Sequence, residues 1–497
     1  MNALGAARTV SFALLVASLA WVSCASAEAA KPKKSALDAA IGKDCTTCHA
    51  QVSPGMHSEW KKSRHGAAGV DCYDCHHGKE GDKGVFAHMP HDGKPVYIST
   101  IVTPKQCAAC HPKEVEQQTR SHHAKGGEIL ASLDNILGEV IGGPAAVNAG
   151  CMQCHGSRIA FDASGNPTPQ TWPNTGIGRI NPDGSLGSCS ACHARHRFSA
   201  AQARTPDTCG KCHVGPDHPQ LEVYNESKHG IIYRAKVGEM NLESRKWIPG
   251  VDYTAAPTCA TCHMSATREQ PVTHDVGERI SWTLRPAVST KLNMVRLASG
   301  DEFDLPPGAP MPKVGDEMKG SKVAEVLPWD KRREKMKDVC TACHVESVVS
   351  GHYKQFDDLV DLYNEKFAKP IAASMKELQD KGYITPAPFD EKIDWTWYEI
   401  WHHEGRRARH GASMSGPDYA WWHGIYEVAK HTYFEWIPEM REVVRKKDGN
   451  EKFADELLDK YFKPIQGHDW YFNGMNKDTI DKVRQGYEER YGKGALK

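Results

Sequence analysis

The stretch Cys259-Ala260-Thr261-Cys262-His263 sets two cysteines three positions apart and a histidine directly after the second. The same pattern stands at Cys45-Cys48-His49, Cys72-Cys75-His76, Cys107-Cys110-His111, Cys151-Cys154-His155, Cys189-Cys192-His193, Cys209-Cys212-His213 and Cys340-Cys343-His344. These eight motifs use 16 of the 17 cysteines.

CxxCH is the attachment signature of c-type haem. Two thiols add to the two vinyl groups, and the adjoining imidazole becomes an iron ligand. Zinc ribbons also use paired cysteines, but they need no histidine after every pair. A disulfide scaffold shows no fixed two-residue gap. The sequence therefore predicts a multihaem cytochrome c with eight covalently bound haems. The predicted fold is mainly α with little sheet: an octahaem region over 28–345, joined by Gly- and Pro-rich loops, then a long-helix region over 346–497 without CxxCH. In that tail Asp358–Tyr363 and Tyr426–Ala429 have helical spacing, with Pro370, Pro386 and Pro417 as punctuation. A haem-free helical tail rich in aromatics suits oligomer packing; the plainer reading is a cover over the haem core.

Residues 1–27 read as a secretory signal: Arg8, an apolar run from Val10 to Val22 too short to span a bilayer comfortably, and Ala25-Ser26-Ala27 as the cleavage site. The remaining cysteine, Cys24, is lost with it. Residues 28–37 read as a flexible leader. Export to the periplasm is expected, with no later membrane span. The balance of 62 basic and 62 acidic residues gives no footprint for nucleic acid.

Each six-coordinate iron needs a second ligand. Of 26 histidines, eight adjoin the motifs and 18 remain, so the supply suffices. If every iron is capped, the chain is an electron wire; if one is open, it can bind a substrate. Ser63-Arg64-His65-Gly66, Ser121-His122-His123-Ala124 and Ser227-Lys228-His229-Gly230 form a weak repeat, each read as ending a polar helix ahead of a CxxCH. Arg409-His410-Gly411 is similar. Such an imidazole can reach an iron, or can be a basic residue at a helix C-terminus.

Cys189-Ser190-Ala191-Cys192-His193-Ala194-Arg195-His196, Ser227-Lys228-His229-Gly230, and Ala256 to Met264 followed by Thr273-His274 carry a resemblance to the octahaem hydroxylamine oxidoreductases over nearly all of the mature length. The resemblance implies a homotrimer, a cytochrome c redox partner and a small nitrogen substrate (hydroxylamine, nitrite or nitric oxide). It also implies seven doubly ligated haems and one open catalytic haem, the fourth, at Cys151, Cys154 and His155. The distal ligands then map onto His65, His88 or His91, His123, His196, His229, His274 and His410. Over the open iron the family sets an Asp-His pair, here Asp217-His218, and a further pocket group after the eighth motif, here Tyr353 or His352. Read without the resemblance, Gly215-Pro216-Asp217-His218 is a surface turn.

In the hydroxylamine-oxidising members, a tyrosine from a neighbouring subunit is bonded to the catalytic haem; Tyr419 is the best-placed counterpart, in surroundings that depart from the oxidase pattern. The loop Gly156 to Ser188 is much longer than in the ammonia-oxidiser enzyme and resembles the branch that runs reductively on nitrite. The reading leans to nitrite reduction, with hydroxylamine or hydrazine oxidation second and a pure electron carrier third. Relatives acting on tetrathionate often carry Lys in place of the catalytic His, and all eight motifs here end in His.

Overall fold

The computed structural model describes residues 34–130 and 133–494, so the signal segment 1–27 and Cys24 lie outside the described residues. The chain is mainly α, at 53% helix and 9% strand.

The C-terminal part holds the largest apolar core among the described residues. Helix Glu346–Tyr363 runs through a widened turn, Asn364–Ala368, straight into helix Lys369–Asp380. Pro370, expected to break the helix, does not. The π-type turn just before it absorbs the register change that a missing N–H would otherwise impose. Tyr363, Phe367, Ile371 and Leu378 pack there against Ile400, Val428, Trp436, Val444, Leu458 and Phe462. The tail is more than a cover, because helix Gly405–Met414 sends His410 to the wall of the interior cavity.

The part that carries the motifs is built differently. Its apolar clusters are small, such as Tyr224, Tyr233, Met240, Trp247 and Tyr253. Its interior is a connected cavity of about 4070 Å³, lined by residues of seven of the eight motifs. An ordinary ligand pocket is about 300–1,000 Å³, so this space suits several large groups.

Three pieces of sheet interrupt the helices where the sequence suggested loops, the smallest pairing Trp282–Thr283 with Thr290–Lys291. Strands Val85–His91 and Lys94–Ser99 pair as an antiparallel hairpin. Asp92 (φ 49°) and Gly93 (φ 76°) make its turn, and Asp-Gly is the pair that a tight hairpin turn favours. Strands Met294–Leu297, Glu302–Asp304 and Ser321–Leu327, with the short Glu317–Met318, form an antiparallel sheet between the seventh and eighth motifs.

Candidate functional site

Each CxxCH forms a helical turn, which explains its spacing. Residues i, i+3 and i+4 share one helix face, so both thiols and the imidazole point the same way. The turn closes with the histidine N–H on the first cysteine's carbonyl, at 2.8 Å for His111 and Cys107 and 2.9 Å for His344 and Cys340. Reciprocal caps start two of these turns: Asp71 with Asp74 ahead of Cys72, and Thr258 with Thr261 ahead of Cys259.

Second imidazoles face six of the attachment histidines. Ring centroids lie 6.1 Å apart for His49 and His88, 6.3 Å for His76 and His196, and 6.2 Å for His111 and His65. The values are 6.5 Å for His193 and His274, 6.1 Å for His213 and His123, and 6.1 Å for His344 and His229. Two imidazoles bonded at about 2.0–2.1 Å to opposite sides of one metal ion have centroids roughly 6 Å apart. His91 is drawn away to Asp44, 2.6 Å from its carboxylate. Burial first, then neighbouring imidazoles, pushes His123 down to about 3, which leaves the neutral, ligating form.

The Ser-x-His-Gly repeat differs from its expectation. The polar helix ends before the serine, and the serine starts a new helix. Ser63 Oγ accepts from Gly66 N–H at 2.9 Å and Ser227 Oγ from Gly230 N–H at 3.2 Å. The histidine therefore lies in a first helical turn. His410 sits inside helix Gly405–Met414 instead, and it is not brought into a ring pair with His263. Its Nε2 is 3.4 Å from Gln220 Nε2. Burial and the Arg409 and Arg406 charges push its imidazole down to about 3.

His155 faces a different group. Asp217, His218 and Arg285 lie within electrostatic reach of it. His218 Nδ1 is 2.5 Å from Asp217 Oδ1, and Arg406 Nη1 donates to Asp217 Oδ2 at 3.3 Å. His402 Nε2 is 3.9 Å from the same Oδ2. Burial alone would raise the Asp217 carboxyl; the His218 hydrogen bond and the charges of His218, His402 and Arg406 outweigh it and hold the carboxyl down at about 2. His218 also stands 6.3 Å from His213, at 62°, so the pair bridges the fourth and sixth motifs.

The motifs meet through their cysteines. Thiols of Cys107 and Cys189, of Cys209 and Cys259, and of Cys154 and Cys212 are in hydrogen-bonding contact. Haems held by these cysteines would be neighbours, with electron transfer the chemistry they would supply. The cavity, the helical-turn motifs and the ring pairs together fit covalently held haem. Sequence models agree: residues 183–297 match "Seven times multi-haem cytochrome CxxCH", and residues 11–77 and 106–171 match "Cytochrome c554 and c-prime".

The chain is a multihaem cytochrome c.

Among known proteins, this cytochrome is 31% identical over 245 residues to a "Probable nitrite reductase-hydroxylamine oxidoreductase fusion protein" of Kuenenia stuttgartiensis. The match covers 44% of this chain and 25% of that relative, so the chain spans about a quarter of its length. A solved structure described as a "Hypothetical multiheme protein" superposes with a TM-score of 0.65 at 25% identity, over 82% of this chain and 96% of the other. A reducing hydroxylamine oxidoreductase-like complex of Kuenenia stuttgartiensis shares the fold, with a TM-score of 0.53 at 18% identity, over 86% and 88% of the two chains.

Tyr353 and His352 line the same cavity as His155, Asp217 and His218. Tyr353 packs with Trp282 and Phe356, under the Arg333 guanidinium at 4.4 Å. Cys340 and Cys262 lie near it, which sets it beside the seventh and eighth motifs. His352 likewise neighbours His229. Tyr419 is half-buried at the outer face, its N–H 3.4 Å from a Glu226 carboxylate oxygen and its ring 5.6 Å from His423. Trp421, Trp422 and Tyr426 beside it are exposed. Arg285 and Arg406 were missed from sequence, because they lie far from any motif along the chain; Arg406 joins Asp217 to the Arg285 loop, Nε donating to Arg285 O at 2.9 Å. No described helix is long and apolar enough to cross a membrane.

Proposed function

We propose that this cytochrome is a hydroxylamine oxidoreductase-like enzyme that works on small nitrogen compounds at the haem held by Cys151, Cys154 and His155, and that it runs towards nitrite reduction. The observation that carries this is the hydrogen-bonded Asp217–His218 pair beside His155, where six other attachment histidines face an imidazole instead.

The bound haem supplies an open iron coordination position and the electrons. The chain supplies the protons. With Asp217 accepting from Nδ1, His218 keeps Nε2 free to carry a proton to a substrate oxygen, and reduction of nitrite consumes protons along with electrons. Arg406 and His402 fix the carboxylate, so the imidazole is held in one tautomer. Arg285 and Arg406 add positive charge at this end of the cavity, which favours anionic nitrite over neutral hydroxylamine. The names of the relatives, a nitrite reductase fusion and a reducing complex, point the same way.

The same reading takes eight attached haems, with His65, His88, His123, His196, His229 and His274 as distal ligands. In this reading His410 is the seventh distal ligand and serves the iron at His263. It also takes export to the periplasm, a cytochrome c partner and a homotrimer packed through the outer face at Tyr419. Reduced protein should bind carbon monoxide at one haem and oxidise reduced viologen when nitrite is added. Failure to bind carbon monoxide would leave a pure electron carrier.

A further inference from the structure

The segment from Asn174 to Asn181 grips the backbone of the fourth motif. Ile177 N–H donates to Cys154 O at 2.9 Å, and Gly178 N–H donates to His155 O at 3.0 Å. His155 Nδ1 lies 3.1 Å from Gly126 O. We propose that this segment is a lock that holds the Gly126 carbonyl on His155 and thereby sets how strongly that imidazole donates to its iron. The inference rests on the reading that His155 serves the open haem.

The packing leaves Gly126 no freedom. A Cβ on Gly178 would lie 2.5 Å from both Gly126 N and Gly127 N, and one on Gly176 would lie 2.0 Å from Gly156 N. Three backbones therefore interleave where side chains cannot fit. Ile177 closes the remaining side, its Cγ2 3.2 Å from where a Gly126 Cβ would be. Arg179 pins the ends of the segment. Its Nε donates to Asn181 Oδ1 at 2.7 Å, its Nη1 to Asn174 O at 3.1 Å and its Nη2 to Val102 O at 2.6 Å. Asn174 Nδ2 in turn donates to Ser157 O at 3.1 Å.

A carbonyl on Nδ1 fixes the tautomer and raises the basicity of Nε2 towards a metal. It is not a by-product of the motif: His76 Nδ1 has Ser99 O at 2.7 Å, whereas His49 Nδ1 is buried with no such partner among the described residues. At a doubly ligated iron a second imidazole shares the load. At an open iron the lone imidazole sets the metal's electron density, so the lock acts where its effect is greatest. The long loop after the fourth motif thus positions His155 without touching substrate.

The experiment compares holoprotein Gly178→Ala and Ile177→Ala with the parent, reading the iron–imidazole stretching band of the reduced five-coordinate haem by resonance Raman. Both variants should shift that band to lower frequency and make that haem easier to reduce, the low-spin haems keeping their signals. Should Gly178→Ala fail to load haem, the milder Ile177→Ala decides. A band unmoved in a loaded variant overturns the lock alone. Absence of the band from the parent overturns the open-haem reading, and the lock with it.

Discussion

The carbonyl oxygen of Tyr224 occupies the place where a side chain on Gly230 would begin: a Cβ there would lie 2.0 Å from it. The helices Gln220–Glu226 and Lys228–Lys236 meet at Ser227 with this contact between them, and His229 sits in the junction. Gly230→Ala must push the second helix away, at a cost of roughly 1–3 kcal/mol. His229 should then leave His344, and electron paramagnetic resonance should show one low-spin haem fewer and one high-spin haem more. An unchanged spectrum would show that the junction does not hold His229.

His218→Ala removes the 2.5 Å pair, and Asp217→Asn strips it of the carboxylate charge that favours a protonated imidazole. Loss of positioned proton transfer costs typically 10²–10⁴-fold, so nitrite turnover should fall by about that much in each variant. Haem content, read by pyridine haemochrome, should stay the same. A rate within about threefold of the parent would remove the pair from the mechanism.

Within its own chain Tyr419 neighbours Glu226 and His423. On the reductive reading no bond joins it to haem. Mass spectrometry of haem peptides should recover the Tyr419 peptide free, and Tyr419→Phe should leave nitrite turnover within about twofold. Recovery of Tyr419 linked to the Cys151–His155 peptide through one haem would turn the assignment to hydroxylamine oxidation.

His468 is buried in the C-terminal core, with Tyr433 Oη 2.6 Å from Nδ1 and Lys366 O 3.0 Å from Nε2. Burial and the Lys366 charge push its imidazole down to about 4. Between that value and about 6.5, the unfolded chain binds the extra proton and the folded chain does not. Stability should therefore fall as pH drops through this window and level off below about 4, by roughly 1–3 kcal/mol in total. Melting of the intact holoprotein against pH should show the slope, and His468→Gln should flatten it.

The motifs and the mainly helical fold were legible because covalent chemistry imposes a fixed spacing and helices a fixed period. The partnership of His49 with His88 was not legible: His88 and His91 lie on one strand three residues apart, and the choice depends on Asp44 drawing His91 aside. Asp92-Gly93 announced the hairpin that carries both, but the expectation of haem-linking loops hid it. Ser63 and Ser227 read as helix ends in sequence, since a serine joining two helices looks the same there as a stop. Tyr353 follows from order along the chain, and order does not show its packing under Arg333 and against Trp282. His410 was placed by likeness, and its approach to Gln220 depends on helix packing that no local pattern encodes.

The two ends of this molecule gain their interiors by different means. The region around Tyr363 and Trp436 can collapse by burying its own side chains. The region around the cavity has only small apolar clusters of its own, so each porphyrin bonded would also add to its folding. A cell short of haem would then make a chain with a finished tail and an unfinished head, and digestion by a protease would leave the former while consuming the latter. Supply of the prosthetic group would then set how much protein survives as well as how much works.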